Sequence, residues 1–158
     1  MSMEITKKNI RLATIYRPLN NIFLNPFMEF LRKKFVCKNQ IKKGLNGVRD
    51  AIAYINNNFS IALMIDQRVS EGVRTNFFKK PALTTTLPAQ LALKYKLSII
   101  PVYIQRNSNN KFIIEFQNEI KPEDFKEKLK LTEKLNDVLE KMIIKNPNQW
   151  IWTHNRWK

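Results

Sequence analysis

The chain is short of the residues that most enzymes use for metal or nucleophile chemistry. It holds one cysteine, Cys37, and one histidine, His154. A lone cysteine excludes an internal disulfide and a cysteine-based metal site, and a lone histidine excludes a His-Cys-Cys zinc site or a histidine-rich one. Three glycines exclude phosphate-cradling loops of the Gly-rich kind. No apolar run approaches the roughly 20 residues that a spanning helix needs. The opening MSMEITKKNI lacks the apolar stretch of a signal peptide. The expected location is the cytoplasm, in solution or on a membrane surface.

What is abundant is positive charge. The 158 residues carry a net charge of +15. The first 80 supply +10 of it, from 15 basic and 5 acidic side chains. Such a field attracts polyanions: nucleic acid, anionic lipid or a phosphorylated substrate. Twenty of the 28 basic residues are lysine, and Asn and Ile are also frequent. An A+T-rich coding sequence gives the same bias, so charge alone does not select a partner. The length suits one domain with a real core. With no internal repeat and no low-complexity linker, residues 1–158 are expected to form a single domain.

The centre of the chain is FSIALMIDQRVSEGVRTNFF, residues 59–78. Its apolar run, 59–65, predicts a strand buried on both faces. It stops at Asp66-Gln67-Arg68, and ligands of open α/β sheets bind at carboxyl ends of strands. A loop over 66–82 is expected next. Upstream, residues 1–9 read as the tail of a helix. Leu12 to Tyr16 predicts a short strand that ends at Arg17-Pro18, because Pro cannot continue a central strand. Residues 20–26 read as a turn-rich linker. The spacing of Phe27, Phe30, Leu31, Lys34 and Phe35 predicts a helix over 27–36. That helix is either an ordinary surface helix or one that lies on an anionic bilayer, Phe inward and Lys/Arg at the headgroups.

Residues 38–43 look like a basic connector. Leu45, Val48, Ile52 and Ile55 predict a helix over 45–56. Thr86 and Pro88 mark a helix start, with the helix running to about Tyr95. A buried strand is expected over 97–104, making a βαβ unit in which it lies parallel to 59–65. Residues 112–116 predict its antiparallel hairpin partner. Leu131, Leu135, Val138, Leu139 and Met142 share a face of a helix over 132–145, stopped by Pro147. The tail then carries all three tryptophans in eight residues, 150–157.

Candidate chemistry gathers at the strand ends. Arg17 and Asp66 both follow strands. Arg68, Arg74, Lys79 and Lys80 crowd the loop after Asp66, where they can neutralise phosphate. His154 has no carboxylate four or five residues on, and Cys37 has no histidine nearby. Taken alone, these residues assemble no nucleophile and base.

One series of short motifs is more specific. Tyr16-Arg17-Pro18 is followed by Asn25-Pro26, Asp66-Gln67, Gly72-Val73 with Phe77-Phe78, Ala89 to Leu93, and Ile100-Pro101-Val102. The series closes on Asn146-Pro147, Gln149-Trp150 and Trp152-x-His-x-Arg-Trp-Lys. In this order they resemble the lipid A biosynthesis acyltransferases of the late lauroyl/myristoyl group, over nearly the whole chain. The resemblance implies an α/β fold of the glycerolipid-acyltransferase type, a mixed sheet flanked by helices. It implies acyl transfer to a hydroxyl of a lipid A precursor at the inner leaflet. Acyl carrier protein, or acyl-CoA, would be the thioester donor, with no further cofactor and no metal.

The family's base is the histidine of a His-x4-Asp/Glu motif shortly before the Tyr-Arg-Pro segment. This chain contains no such motif. The expectation is therefore an N-terminally truncated, C-terminal portion whose dyad comes from a companion fragment. No catalytic residue is assigned. Arg17, Asp66, Gln67, Arg68 and Arg74 are expected to bind substrate. Among Arg32, Lys33 and Lys34 the family's further arginine is sought. Phe77, Phe78, Phe27 and Phe30 are candidates for acyl or membrane contact, with core packing the alternative role for at least half of them. The expected partners are acyl carrier protein, the lipid A precursor and an anionic membrane surface at the cytoplasmic face of the inner membrane, with no nucleic acid. The competing expectation is a non-enzymatic basic module that binds anionic membrane or nucleic acid.

Overall fold

A computed structural model describes residues 2, 5 and 8–157. The helix expected over 1–9 falls largely outside them. The chain divides into two compact units, Met1–Met64 and Ile65–Lys158, each described by itself.

The first unit is built on a three-stranded parallel sheet. Its strands are β1 (Leu12–Tyr16), β2 (Asn39–Lys42) and β3 (Ser60–Ala62), in the order β2-β1-β3. β1 is central, and it ends at Tyr16 as Arg17-Pro18 requires. Helix α1 (Leu24–Leu31) runs directly into a π-helical turn, Arg32–Val36. The Asn21 side chain accepts from the backbone of Phe23 and Leu24, both at 3.0 Å, and so starts α1 three residues earlier than the apolar spacing suggests. Helix α2 (Leu45–Asn56) lies where predicted. A Cβ at Gly47 would collide with the Lys42 carbonyl, so only glycine lets α2 approach β2 this closely. Leu12, Ala13, Ile41 and Ala51 form the core of this unit.

Two expectations fail here. Residues 38–43 are not a connector, because 39–42 form β2. The pattern hid it: Ile41 is the one buried side chain in that strand. The strand predicted over 59–65 is only three residues long, and it is not buried on both faces. Among the described residues β3 pairs with β1 alone, Ser60 is exposed, and Met64 is 68% exposed.

In the second unit β4 (Val73–Phe77) and β5 (Lys80–Thr84) form an antiparallel hairpin where a loop was expected. Helix α3 (Leu87–Tyr95) follows, as the Thr-Pro signal predicts. β6 (Val102–Arg106) and β7 (Phe112–Phe116) form the second hairpin, in the expected antiparallel sense. β6 starts later than the apolar run that announces it. Its ladder partner among the described residues is β7, and that of β3 is β1. Helix α4 (Lys128–Lys145) extends the predicted helix by one turn at its start. Ala89 and Ala92 of α3 pack with Leu131 and Leu135 of α4 and with Ile120. A second cluster joins Phe77, Ala82 and Ile143 to Phe78, Leu139, Trp150 and Trp157. The whole is a mixed α/β architecture with small sheets.

Candidate substrate-binding edge

The carboxyl edge of the first sheet carries a polar cluster. Tyr16 and Lys42 are the last residues of parallel neighbours and stand in register. Between them lies Glu29 of α1. Its Oε1 accepts from Asn25 Nδ2 at 2.7 Å and meets Lys42 Nζ at 3.1 Å. The Tyr16 hydroxyl donates to the same carboxylate. Thus Tyr16 of the Tyr-Arg-Pro motif and Asn25 of the Asn-Pro motif converge on one acid. Asn25 also accepts from Leu19 N–H at 2.9 Å, which fastens the intervening loop.

The electrostatics follow from these contacts. Hydrogen bonds from Tyr16, then Lys42 and Asn25, hold the Glu29 carboxyl down at about 2, against an ordinary 4.5. Burial, reinforced by Glu29, pushes the Tyr16 hydroxyl up to about 12. The Arg32 guanidinium stacks over the Tyr16 ring at 5.0 Å. Its Nη1 is buried without a hydrogen-bond partner among the described residues. So acidic a carboxyl is too weak a base to take a proton from an alcohol. Glu29 instead neutralises and orders cations. Arg17, exposed, follows Tyr16 on this edge, and Lys43 N–H donates to the Tyr16 carbonyl at 2.9 Å. Of Arg32, Lys33 and Lys34, Arg32 is the one that packs on this cluster, through the Tyr16 ring.

The other four predicted binding residues lie in the second unit. Asp66 and Gln67 form a bend, with Gln67 and Arg68 exposed. Asp66 is half-buried, and its Oδ1 is shielded from water without a hydrogen-bond partner among the described residues. Arg74 is exposed on β4, on the face opposite Thr75 and Phe77. His154 is a fastening: its Nε2 accepts from Arg68 N–H at 3.0 Å.

The residue the sequence did not single out is Arg156, which is fully buried. It donates to the Ile65 carbonyl at 2.6 Å, to Asn136 Oδ1 at 2.9 Å and to Thr84 Oγ1 at 3.2 Å. Its guanidinium sits 4.3 Å from the Phe77 ring centroid. Asn136 in turn donates to Thr75 Oγ1 and the Asn76 carbonyl, each at 2.9 Å. Burial lowers the Arg156 pKa, while Asp66 and Glu140 favour its charged form. The one signal for it was its place inside the Trp-rich motif.

Of the four phenylalanines, Phe77 is not available for acyl or membrane contact. It is fully buried under Trp150, Trp157 and Phe78. Phe78 is partly buried in the same cluster, and its N–H donates to Glu140 at 2.6 Å. Phe27 and Phe30 are each 56% exposed.

The first unit thus presents a charged cluster, Glu29 with Lys42 and Arg32 beside Tyr16, at the carboxyl edge of a parallel sheet within a mixed α/β fold. The comparison with known families goes further. The chain belongs to the bacterial lipid A biosynthesis acyltransferases, whose family model matches residues 1–158. No curated protein matches it.

Proposed function

We propose that this chain serves the transfer of a fatty acyl group from an acyl carrier protein or CoA thioester to a hydroxyl of a lipid A precursor, at the cytoplasmic face of the inner membrane. The observation that carries the reading is that two family motifs, Tyr16-Arg17-Pro18 and Asn25-Pro26, close on Glu29 at the carboxyl edge of the sheet. Arg17, Arg32 and Lys42 give that edge its positive charge, suited to the phosphates of the precursor. Asp66, Gln67, Arg68 and Arg74 are proposed as further substrate contacts. The acceptor hydroxyl attacks the thioester carbonyl. The C–O ester bond forms, the C–S bond breaks, and the hydroxyl proton passes to a base and then to the leaving thiolate. No residue described above fills the role of that base. A companion polypeptide carrying His-x4-Asp/Glu is proposed to supply it.

The test is acyl transfer, followed by mass spectrometry, with acyl carrier protein thioester and a phosphorylated lipid A precursor. The chain alone is expected to give no product above background, since a missing general base costs about 10²–10⁴-fold. Adding a polypeptide that bears the dyad restores transfer, and Arg17→Ala then lowers it. Turnover by the chain alone would overturn the assignment of the base. The net charge of +15 favours one second reading, a non-enzymatic module for polyanions. No transfer under any condition, together with steeply salt-dependent binding of polynucleotide, would establish it.

A further inference from the structure

Helix α1 is amphipathic in the reverse of the usual sense. Asn25, Met28, Glu29 and Arg32 recur at helical spacing and are half-buried. Their polar members make the cluster around Tyr16 and Lys42. The opposite face carries Phe23, Phe27 and Phe30, at spacings of four and three, and no residue of α1 is buried. Phe23 is 94% exposed, Ile22 82%, and Phe35 of the following π-helical turn 55%. A helix normally turns its apolar stripe to the core. This one spends its inward face on polar contacts and presents the phenylalanines to solvent, so they form a patch of the kind that marks an interaction surface.

Charge says what covers it. From Phe30 to Val48 the chain has Arg32, Lys33, Lys34, Lys38, Lys42 and Lys43 and no acidic residue. Lys34 Nζ lies 5.6 Å from the Phe30 ring centroid and 5.2 Å from that of Phe35, so cation and aromatic rings share one surface. Beside them opens a groove of about 500 Å³ at the amino ends of β1 and β2, with Ile10, Phe35 and Phe59 within and Arg11, Lys33 and Lys38 in its lining. Among the described residues no helix is long and apolar enough to cross a membrane.

We infer that the surface from Ile22 to Lys38 docks on an anionic lipid bilayer, with Phe23, Phe27, Phe30 and Phe35 entering the acyl boundary and Lys33, Lys34 and Lys38 at the headgroups. A protein partner would have to match rings and ammonium groups one by one. A bilayer matches both without register. The inference deepens the proposed function by naming its membrane surface, but it stands on exposure and charge.

The test is co-sedimentation of the full chain with vesicles of phosphatidylcholine, alone or with phosphatidylglycerol added. Neither acyl donor nor acceptor is present, so failed transfer and failed docking are separate results. Binding is expected to the anionic vesicles and to weaken with salt. Phe23→Ser with Phe27→Ser lowers it at least about tenfold. Lys33→Gln with Lys34→Gln lowers it about 30-fold on anionic vesicles. Both pairs of positions are exposed, and circular dichroism checks that the fold is retained. Three results would overturn the inference: no sedimentation of the parent chain, parent-like binding by both variants, or equal binding to neutral vesicles. Concentration-dependent dimerisation abolished by the Phe→Ser pair would assign the face to a second copy of the chain instead.

Discussion

The two units treat a positive charge in opposite ways. Around Glu29 the cation Lys42 meets a carboxylate at an open sheet edge, with Arg32 stacked on the neighbouring Tyr16 ring. Around Arg156 the charge is sealed inside and held by a backbone carbonyl, an amide oxygen, a hydroxyl and a ring face. Both environments are polar, yet they do different things. A desolvated guanidinium held by neutral acceptors cannot reach a ligand, and its hydrogen bonds fix the positions of the segments it touches. A carboxylate that gathers cations at strand ends leaves charge facing outward. Counting arginines does not separate these cases, whereas naming what each guanidinium touches does.

The comparison breaks most sharply at Arg156. Arg156→Ala leaves the Ile65 carbonyl and Asn136 Oδ1 without their donor, and each orphaned buried acceptor costs about 1–3 kcal/mol. Together with the lost packing on Phe77, the expected loss is about 3–5 kcal/mol, read as a fall in the midpoint of denaturant unfolding. Trp157→Phe is milder. It removes the bond from Nε1 to the Phe77 carbonyl, 2.9 Å long, while keeping most of the ring, and about 1 kcal/mol is expected in the same measurement.

Glu29→Gln sharpens the contrast through its pH dependence. A carboxyl held at about 2 when folded and 4.5 when free contributes stability that is fully present above 4.5 and is lost as pH falls toward 2. The parent chain therefore loses stability over that window, and the variant shows a flatter slope. The Tyr16 hydroxyl, no longer beside a negative carboxylate, titrates below its present value of about 12, as tyrosinate absorbance would show. An unchanged acid limb would remove Glu29 from the centre of the cluster.

Helices α2, α3 and α4 were legible because each carries periodic apolar residues or a Thr-Pro start. β1 was legible because Pro18 punctuates it. The β4–β5 hairpin was not. Its turn is Phe78-Lys79, both with positive φ, 51° and 60°, where two-residue turns usually show Asn or Gly. A bulky residue in that conformation is uncommon, so nothing in the sequence announced a reversal. β2 was hidden by its polar composition. The apolar stripe of α1 was read correctly, but its direction was not legible. Which face turns inward depends on Tyr16 and Lys42, which lie outside the helix. Of the candidate site, Arg17 at the carboxyl edge was legible from the motif order. Glu29 was not, because it falls opposite the apolar stripe of Phe27, Phe30, Leu31 and Phe35, the side that a surface helix usually turns to solvent. Arg156 escaped because arginine is among the residues least often fully buried.

The bond from Arg156 to the Ile65 carbonyl joins residues 91 apart in the chain. It works as a clasp that draws the start and the end of the second unit into one ring. Closing so long a ring is entropically slow to repay, so local pieces such as the two hairpins and α4 can form before the clasp shuts. An interaction made late in folding is absent from the transition state. Its strength then governs how fast the unit comes apart rather than how fast it assembles. The expected outcome is that Arg156→Ala speeds unfolding of the second unit more than it slows refolding, as stopped-flow unfolding and refolding rates would show.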